Sequence, residues 1–224
     1  MPPEEVLRLA AGLVGGYLLG SIPASFLIAR WGFGVDLRTV GSGNVGATNA
    51  LRALGPKAGV PALLLDSLKG TAAVLLAGAL ASPGMPVGKL SFQMLCGVAA
   101  ILGHTFTIFL GFKGGKGVAT AAGVFGALAP LPLALTLVVF TAVVAATRYV
   151  SAGSIAGALA LPIFLQLVPV EGRGLLTGLA VPLALFIVYR HRENLRRLAA
   201  GTETRLTFGK PAAPAPAANR GTEG

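Results

Sequence analysis

Long apolar runs separated by short polar segments make up most of the chain. A membrane-spanning helix needs about 20 consecutive, mainly apolar residues, and several of these runs reach that length. The pattern predicts an all-α, polytopic integral membrane protein with seven transmembrane helices. The predicted runs cover residues 6–29, 57–81, 90–110, 118–129, a stretch ending at 147, 150–168 and 175–189.

Two details of the runs affect this prediction. The fourth run is short for a span, and Pro130 and Pro132 separate it from the fifth. If these two runs form a helical hairpin that does not cross the membrane, five spans remain. Pro23, inside the first run, predicts a kink because proline lacks the amide hydrogen that a helix interior requires.

Composition supports a membrane protein with little soluble mass. Of the 224 residues, 54% are hydrophobic and 12% are charged, whereas soluble domains carry about 25% charged residues. We predict one membrane-embedded domain over residues 1–198. Residues 199–224 are rich in alanine and proline, a composition that predicts a disordered tail.

Basic residues lie mainly on one side of the predicted membrane domain. Lys and Arg number 18 against 8 Asp and Glu, a net charge of +10. Fourteen of the basic residues fall on the side of the C-terminus and three on the other. Positive loops mark the cytoplasm, so the N-terminus is predicted outside and the C-terminus inside. Because these charges alternate with apolar runs, anionic lipid or substrate explains them better than nucleic acid, which we do not expect as a partner.

Hydrogen-bonding groups spaced by glycines fill the segment GSGNVGATNALRALG, residues 41–55. Glycines let a loop fold tightly around a polar ligand. Arg52 follows Thr48 by about one helical turn, so both can face one site. A connecting turn, with Thr48 or Asn49 capping a helix, is the structural alternative. The candidate binding residues are Ser42, Gly43, Asn44, Gly46, Thr48, Asn49 and Arg52.

The segment GHTFTIFLGFKGGKGVAT, residues 103–120, places two lysines and several glycines between apolar flanks. Lysine suits phosphate, and a helix starting near Val118 would direct its free amides at the same spot. A nucleotide-binding P-loop is excluded because position 110 is leucine and position 117 is glycine. The segment predicts a phosphate site that includes His104, Lys113, Gly114, Gly115 and Lys116.

Two further segments carry polar groups. Asp66 and Lys69 lie three apart within a predicted span and share a helix face, as a functional pair or a packing pair. In RHRENLRRL, residues 190–198, His191 and Asn194 also share a face. The arginines there can form a site or a polybasic anchor on anionic lipid.

Several types of chemistry are missing from the sequence. An acyltransferase dyad of histidine, four residues and aspartate does not occur, since His104 leads to Phe109 and His191 leads to Arg196. The single cysteine, Cys96, cannot form an intrachain disulfide. Because no cluster has the spacing of metal ligands, we expect no metal and no cofactor.

Four motifs, in one order and on one predicted face, resemble a known family. GSGNVGATN, DSLKG, GHTFTIFLGFKGGKGVAT and HRENLRRL are similar to motifs of the bacterial acyl-phosphate:glycerol-3-phosphate acyltransferases (PlsY). The resemblance covers about residues 5–198, and Thr107 departs from it where the family usually has proline. It implies a seven-helix enzyme of phospholipid biosynthesis in the bacterial inner membrane. That enzyme moves an acyl group from acyl phosphate to the 1-hydroxyl of glycerol 3-phosphate, giving lysophosphatidic acid and phosphate.

The resemblance also implies roles for the candidate residues. Arg52, Lys113 and Lys116 would hold phosphates, and Ser42 with the amides of Gly43 and Asn44 would serve the donor phosphate or the developing oxyanion. His191 and Asn194 would position the glycerol hydroxyls, while Asp66 orients Lys69 or His104. The donor phosphate would take the hydroxyl proton, with a general base at His104 or His191 left open. The implied catalytic residues are Ser42, Arg52, Lys116, His191 and Asn194.

Alternatives from other classes remain at this point. A transporter of a phosphorylated small molecule also needs a cationic site among helices, but the chain shows no two-fold internal repeat. A lipid-binding scaffold would leave the arrangement of Ser42 and Lys116 without a purpose. The expected partners are the two substrates, the bilayer and, transiently, a soluble enzyme that makes acyl phosphate. We expect a monomer.

Overall fold

The computed structural model describes residues 2–206, and these residues form an all-helical bundle. This confirms the predicted fold class. Most predicted runs correspond to single helices with ends within about three residues, as apolar periodicity allows. The helices are α1 Pro3–Ser21, α2 Ala24–Leu27, α3 Ala47–Leu54, α4 Pro56–Leu80, α5 Lys89–Thr105, α6 Val118–Leu128, α7 Pro130–Thr147, α8 Val150–Leu167, α9 Arg173–Arg190 and α10 Arg192–Ala199.

Six helical segments in the described part of the chain are long and apolar enough to cross a membrane. They contain α1 with α2, α4, α5, α7, α8 and α9. The seventh apolar helix, α6, has 11 residues and is about 16 Å long, roughly half the thickness of a bilayer core. The predicted number of seven crossings therefore remains a prediction.

The first predicted run is interrupted at Pro23, as expected. Helix α1 ends at Ser21, and the chain resumes as α2 followed by a π-helical turn over Ile28–Gly32. The break releases backbone carbonyls that need new donors. Lys69 Nζ donates to the carbonyl oxygen of Ile22 at 2.9 Å, and Thr107 Oγ1 donates to that of Ser21 at 2.5 Å. The hydroxyl of Thr107 thus satisfies a carbonyl at the break.

Close helix contacts at glycines bring the site-bearing helices together. Helix α4 packs on α6, and α1 packs on α5. A Cβ atom at Gly70 would collide with the carbonyl oxygen of Thr120, and one at Gly123 would collide with that of Ser67. Thr71 Oγ1 also donates to the Gly123 carbonyl at 2.9 Å. Small residues therefore set the α4–α6 distance, as in many membrane helix pairs.

The C-terminal segment differs from its prediction. Residues 200–206 have a defined path after α10, and Glu203 within them is buried. Gly201, with φ of +69°, lets the chain reverse direction, and the Leu206 amide then donates to the Arg148 carbonyl at 2.7 Å. The predicted disorder from residue 199 is therefore wrong up to residue 206, because buried polar partners hold this stretch. The rest of the predicted tail, 207–224, lies outside the described residues.

We expect Gly70→Ala to destabilise the bundle, because its methyl group would push α4 away from the Thr120 carbonyl. Overpacking of this kind costs about 1–3 kcal/mol. Thermal unfolding in detergent measures the loss as a lower transition temperature. Gly15→Ala is the matched control, since a Cβ there meets no other described atom within 4 Å. An equal transition temperature for Gly70→Ala and wild type would show that α4 and α6 are not closely packed.

Candidate active site

The predicted polar segments meet at one cavity of about 490 Å³. Its size is typical of small-molecule sites. One part of its wall is polar and comes from α3, α10 and the loops before α3 and α6, while the other part is apolar and comes from α4, α6 and α7. Ten of the predicted site residues line it: Ser42, Asn44, Gly46, Thr48, Asn49, Arg52, His104, Lys116, His191 and Asn194.

Asn49 organises the loop that carries Ser42. Its side-chain oxygen accepts from the Ser42 amide at 3.0 Å, and its Nδ2 donates to the carbonyls of Leu37 and Val40. These bonds occupy the donors of an amide side chain, so Asn49 shapes the loop and does not offer its NH₂ group to a ligand. Helix α3 begins at Ala47 after Gly46, so the alternative of a cap by Thr48 or Asn49 is wrong.

The glycine-rich loop is fixed to the end of α5. The amides of Gly114 and Gly115 donate to the carbonyls of Thr105 and His104 at 3.0 and 3.1 Å. A Cβ at Gly115 would collide with the imidazole of His104. Arg190 Nη2 donates to the Gly115 carbonyl at 3.0 Å from the end of α9. The sequence therefore needs two glycines here for tight backbone packing, while the ligand meets the residues that follow.

Helix α6 starts at Val118, as predicted, and its first residues line the cavity. Gly117 precedes it with φ of +84°, a conformation that glycine adopts without strain. Free amides in the first turn of a helix attract anions. The N-terminus of α6 thus adds partial positive charge beside Lys116.

A hydrogen-bonded chain links Lys116 to the C-terminal segment. Lys116 Nζ donates to Asn194 Oδ1, and Asn194 Nδ2 donates to Glu203 Oε1 at 2.7 Å. Ser151 Oγ donates to the same carboxylate oxygen at 2.9 Å, and Arg197 Nε donates to Oε2 at 2.7 Å. Because a carboxylate only accepts, Glu203 fixes the Asn194 amide with its oxygen towards Lys116.

Arg52 lies against the same segment. Its Nη2 donates to the Thr204 carbonyl at 2.8 Å and lies 4.0 Å from Glu203 Oε1. Its buried Nε has no hydrogen-bond partner among residues 2–206. A buried guanidinium N–H without an acceptor is costly, and the anion of a ligand would supply that acceptor.

Burial changes the protonation behaviour of the cavity groups. Burial lowers the pKa of Lys116 to about 8, against a raising effect from Glu203 and with smaller lowering effects from nearby arginines. Burial, followed by the charge of Lys116, lowers the pKa of His191 to about 4. Burial alone would raise the pKa of Glu203, but hydrogen bonds from Asn194, Arg197 and Ser151 hold it below its ordinary value. At neutral pH the site therefore holds a neutral His191 and a largely protonated Lys116.

His191 has a defined orientation. Its Nδ1 lies 2.8 Å from the Ile187 carbonyl. Because a carbonyl accepts only, Nδ1 carries the proton and donates, which makes Nε2 of the neutral ring an acceptor. Since His191 lines the cavity, it can accept a hydrogen bond from a ligand hydroxyl.

Asp66 joins several helices below the glycine-rich loop. Its Oδ1 pairs with Lys69 Nζ at 2.8 Å and with His104 Nδ1 at 3.4 Å, and its Oδ2 accepts from Ser25 Oγ at 2.8 Å. The prediction that Asp66 orients Lys69 or His104 is confirmed for both in these contacts. Lys69 itself does not line the cavity, because Asp66 and the Ile22 carbonyl hold its ammonium group.

Five predicted site residues are absent from the cavity wall of the described protein: Gly43, Lys69, Lys113, Gly114 and Gly115. Lys113 is exposed and follows a turn in which Gly111 and Phe112 both have positive φ. Gly114 and Gly115, which are fixed to the end of α5, lie between Lys113 and Lys116. Two lysines of one motif, three positions apart, thus have different surroundings, and only Lys116 lines the cavity.

Sequence patterns gave no indication of several cavity residues. Glu203 lies in the predicted tail, and Ser151 and Ser154 lie in an otherwise apolar run. The sequence feature that could have indicated Glu203 is the presence of an acidic residue in a strongly basic stretch. Within residues 2–206 no three His, Cys, Asp or Glu side chains form a metal-ligand set. The polar groups that face the cavity, with Arg52 and Lys116 among them, suit an anion.

Comparisons with known proteins agree with this geometry. A family model for glycerol-3-phosphate acyltransferase matches residues 10–201. The chain is 50% identical over 190 residues to the glycerol-3-phosphate acyltransferase of Geobacter sulfurreducens, covering 85% of this chain and 93% of the relative. The chain is 51% identical over 202 residues to the Geobacter metallireducens protein of the same name. This match covers 90% of this chain and 97% of the relative.

Solved structures extend the likeness to the fold. The crystal structure of PlsY, an integral membrane glycerol 3-phosphate acyltransferase, in its glycerol 3-phosphate form is 40% identical with a TM-score of 0.79, covering 89% of this chain and 96% of that one. The crystal structure of the lysophosphatidic acid form is 38% identical in sequence and has a TM-score of 0.78. The match covers 89% of this chain and 95% of that one. Sequence and fold thus agree over nearly all of the described chain. The protein is a multi-pass membrane protein and belongs to the glycerol-3-phosphate acyltransferase family of phospholipid biosynthesis.

Proposed function

We propose that this protein transfers a fatty acyl group from acyl phosphate to the 1-hydroxyl of glycerol 3-phosphate. The products are lysophosphatidic acid and inorganic phosphate. The observation that carries the proposal is the cavity itself, in which Arg52 and Lys116 adjoin an apolar wall from α4, α6 and α7. Such a cavity suits two phosphates and one alkyl chain. The crystal forms of PlsY with glycerol 3-phosphate and with lysophosphatidic acid support the acceptor and the product.

The reaction needs orientation and charge stabilisation more than a strong base. The acceptor oxygen attacks the acyl carbonyl carbon, the carbon–oxygen bond to phosphate breaks, and the leaving phosphate takes the hydroxyl proton. Lys116 and the amides at the start of α6 stabilise charge on the phosphate and on the carbonyl oxygen. Ser42, with the amides of Gly43 and Asn44, serves the donor phosphate or the oxyanion.

The acceptor side uses residues from α3 and α10. Arg52 holds the phosphate of glycerol 3-phosphate, and its buried Nε supplies a donor. His191 accepts a hydrogen bond from a glycerol hydroxyl through Nε2, and Asn194 orients Lys116. His104, held by Asp66, supports the glycine-rich loop. The alternative of a transporter is not favoured, because the chain belongs to an acyltransferase family.

The remaining proposals concern location and partners. The charge asymmetry supports an N-terminus outside and a C-terminus in the cytoplasm, with the active site at the cytoplasmic face. We also propose seven crossings of the bacterial inner membrane, with α6 as the seventh. A soluble enzyme that makes acyl phosphate would then contact this face transiently. We propose a monomer that requires no cofactor and binds no nucleic acid.

Turnover of glycerol 3-phosphate with acyl phosphate is expected from purified protein in detergent or lipid mesophase, and none with acyl-CoA. Lys116→Ala should reduce turnover about a hundredfold or more, because it removes the cation beside α6. Lys113→Ala is the matched control and should stay within about threefold of wild type, since that side chain is exposed. Lysophosphatidic acid and phosphate release are measured together.

Three results would contradict this scheme. Turnover with acyl-CoA would make the donor assignment wrong. Equal losses in Lys113→Ala and Lys116→Ala would contradict the assignment of the phosphate site to Lys116. Flux of glycerol 3-phosphate into liposomes without product formation would favour transport.

The activity should fall as the pH rises through about 8. Lys116 binds phosphate only when protonated, and burial lowers its pKa to about 8, so kcat/KM for glycerol 3-phosphate decreases above that pH. Lys116→Arg should remove this alkaline limb, because arginine stays protonated. His191, with its pKa at about 4, contributes no limb between about pH 5 and 8. An alkaline limb that persists in Lys116→Arg would assign the titration to another group.

The segment that contains Glu203 should be required for activity. A chain truncated after Leu206 keeps every contact described above, whereas one truncated after Ala199 loses the partner of Asn194 and Arg197. We expect near wild-type turnover from the first chain and at least a hundredfold loss from the second. Glu203→Gln should also move the alkaline limb to lower pH, because the Glu203 charge raises the pKa of Lys116. Equal activity of the two truncated chains would show that the segment has no part in the site.

A further inference from the structure

A second, smaller cavity lies beside the active-site cavity, among α6, α7, α8 and α9. Its volume is about 60 Å³. A water molecule needs about 10–15 Å³ on this measure, so the space holds roughly four groups of that size. The space is half open and borders the main apolar core, whose Ala121, Leu161 and Ala180 line one side of it.

The void is apolar and unsuited to water. Its wall contains two hydroxyl groups, and both are used within their own helices. Thr136 Oγ1 donates to the Pro132 carbonyl at 2.9 Å, and Ser154 Oγ donates to the Val150 carbonyl at 2.9 Å. A buried water needs two to four polar partners, which this wall does not offer. An alkyl group is the better occupant.

The void adjoins the active-site cavity, and the two spaces share part of their apolar wall. An alkyl chain that lies along this shared wall, with its phosphate near Lys116, is directed towards the void. Six residues line both spaces: Val118, Ala122, Leu133, Leu137, Phe140 and Ser154.

Small residues on α8 and α9 create the void. A Cβ at Gly157 would lie 3.5 Å from Thr136 Cγ2 and 3.6 Å from Phe140 Cβ, which is ordinary contact distance. Close helix packing therefore does not require glycine at this position. Ala184 lines the same space from α9. Larger apolar residues at these positions would fill it.

We propose that this void receives the methyl end of the donor's acyl chain and that Gly157 and Ala184 determine which chain lengths are accepted. This inference rests on the proposed function, since it needs a donor with an alkyl chain. It adds a specificity element that lies outside all of the predicted site residues.

Helix geometry gives the expected length dependence. Helix α8 rises about 9 Å from Ser151, beside Glu203, to Gly157. An extended alkyl chain advances about 1.2 Å per bond, so seven or eight carbons reach Gly157. An octanoyl chain thus ends at about the level of Gly157, whereas a hexadecanoyl chain continues beyond it into the void.

The test compares octanoyl, dodecanoyl and hexadecanoyl phosphate as donors for wild type, Gly157→Leu and Ala184→Leu. Each leucine should reduce kcat/KM for hexadecanoyl phosphate at least tenfold and leave that for octanoyl phosphate within about twofold. Gly178→Leu is the matched control, because a Cβ there meets no described atom within 4 Å. Its profile should equal that of wild type.

The two variants fill the void from different helices, so one remains informative if the other does not fold. A uniform loss across the three donors, or an unchanged profile in an active variant, would overturn the inference. Absence of turnover by wild type with all three acyl phosphates would instead overturn the proposed function, and the inference with it.

Discussion

The site depends on holding several basic side chains together at the edge of an apolar bundle. Arg52 and Arg197 lie against a single carboxylate, that of Glu203, and Lys116 is linked to it through Asn194. Buried charges are costly unless they are paired and hydrogen-bonded. One carboxylate offsets only part of this positive charge, so the site favours an anionic ligand. The same groups thus bear on stability and on ligand preference: Glu203 keeps the cations in place, and the remaining positive charge suits a phosphate.

A second constraint comes from the break at Pro23. The break releases carbonyls at Ser21 and Ile22. Thr107 donates to the first, and Lys69 and the Ala24 amide donate to the second. A lysine used in this way needs an anion, which Asp66 supplies. Asp66 in turn holds His104, and the His104 backbone and ring hold the glycine-rich loop. The polar groups inside the bundle therefore form a connected series of hydrogen bonds and ion pairs, which runs from the break at Pro23 to the loop before Lys116.

Much of the fold and part of the site followed from the sequence. Apolar length and proline positions predicted the helices and the kink, because membrane helices have few other options. Motif chemistry placed Arg52, Lys116 and His191 in one site. It failed for Lys113, because the two glycines between the lysines are fixed to the end of α5 while the Lys113 side chain is exposed. The contacts of Asn49 could not be predicted, because its partners are backbone groups of a loop without a periodic pattern. Glu203 was missed because its burial depends on contacts with residues of three helices, and amino-acid composition does not reveal such contacts.

The short helix α6 connects the two chemistries of the cavity. Its 11 residues cover only about 16 Å, and together with α4 and α7 it forms the apolar part of the cavity wall. The helix begins at the polar loop, so its free amides lie beside Lys116, and its small residues Ala119, Ala122 and Gly123 line the cavity. Helix α6 therefore lies at the boundary between the apolar wall and the polar part of the cavity. A substrate with a phosphate at one end and an alkyl chain at the other matches that single transition, which explains why cations and apolar residues share one cavity here.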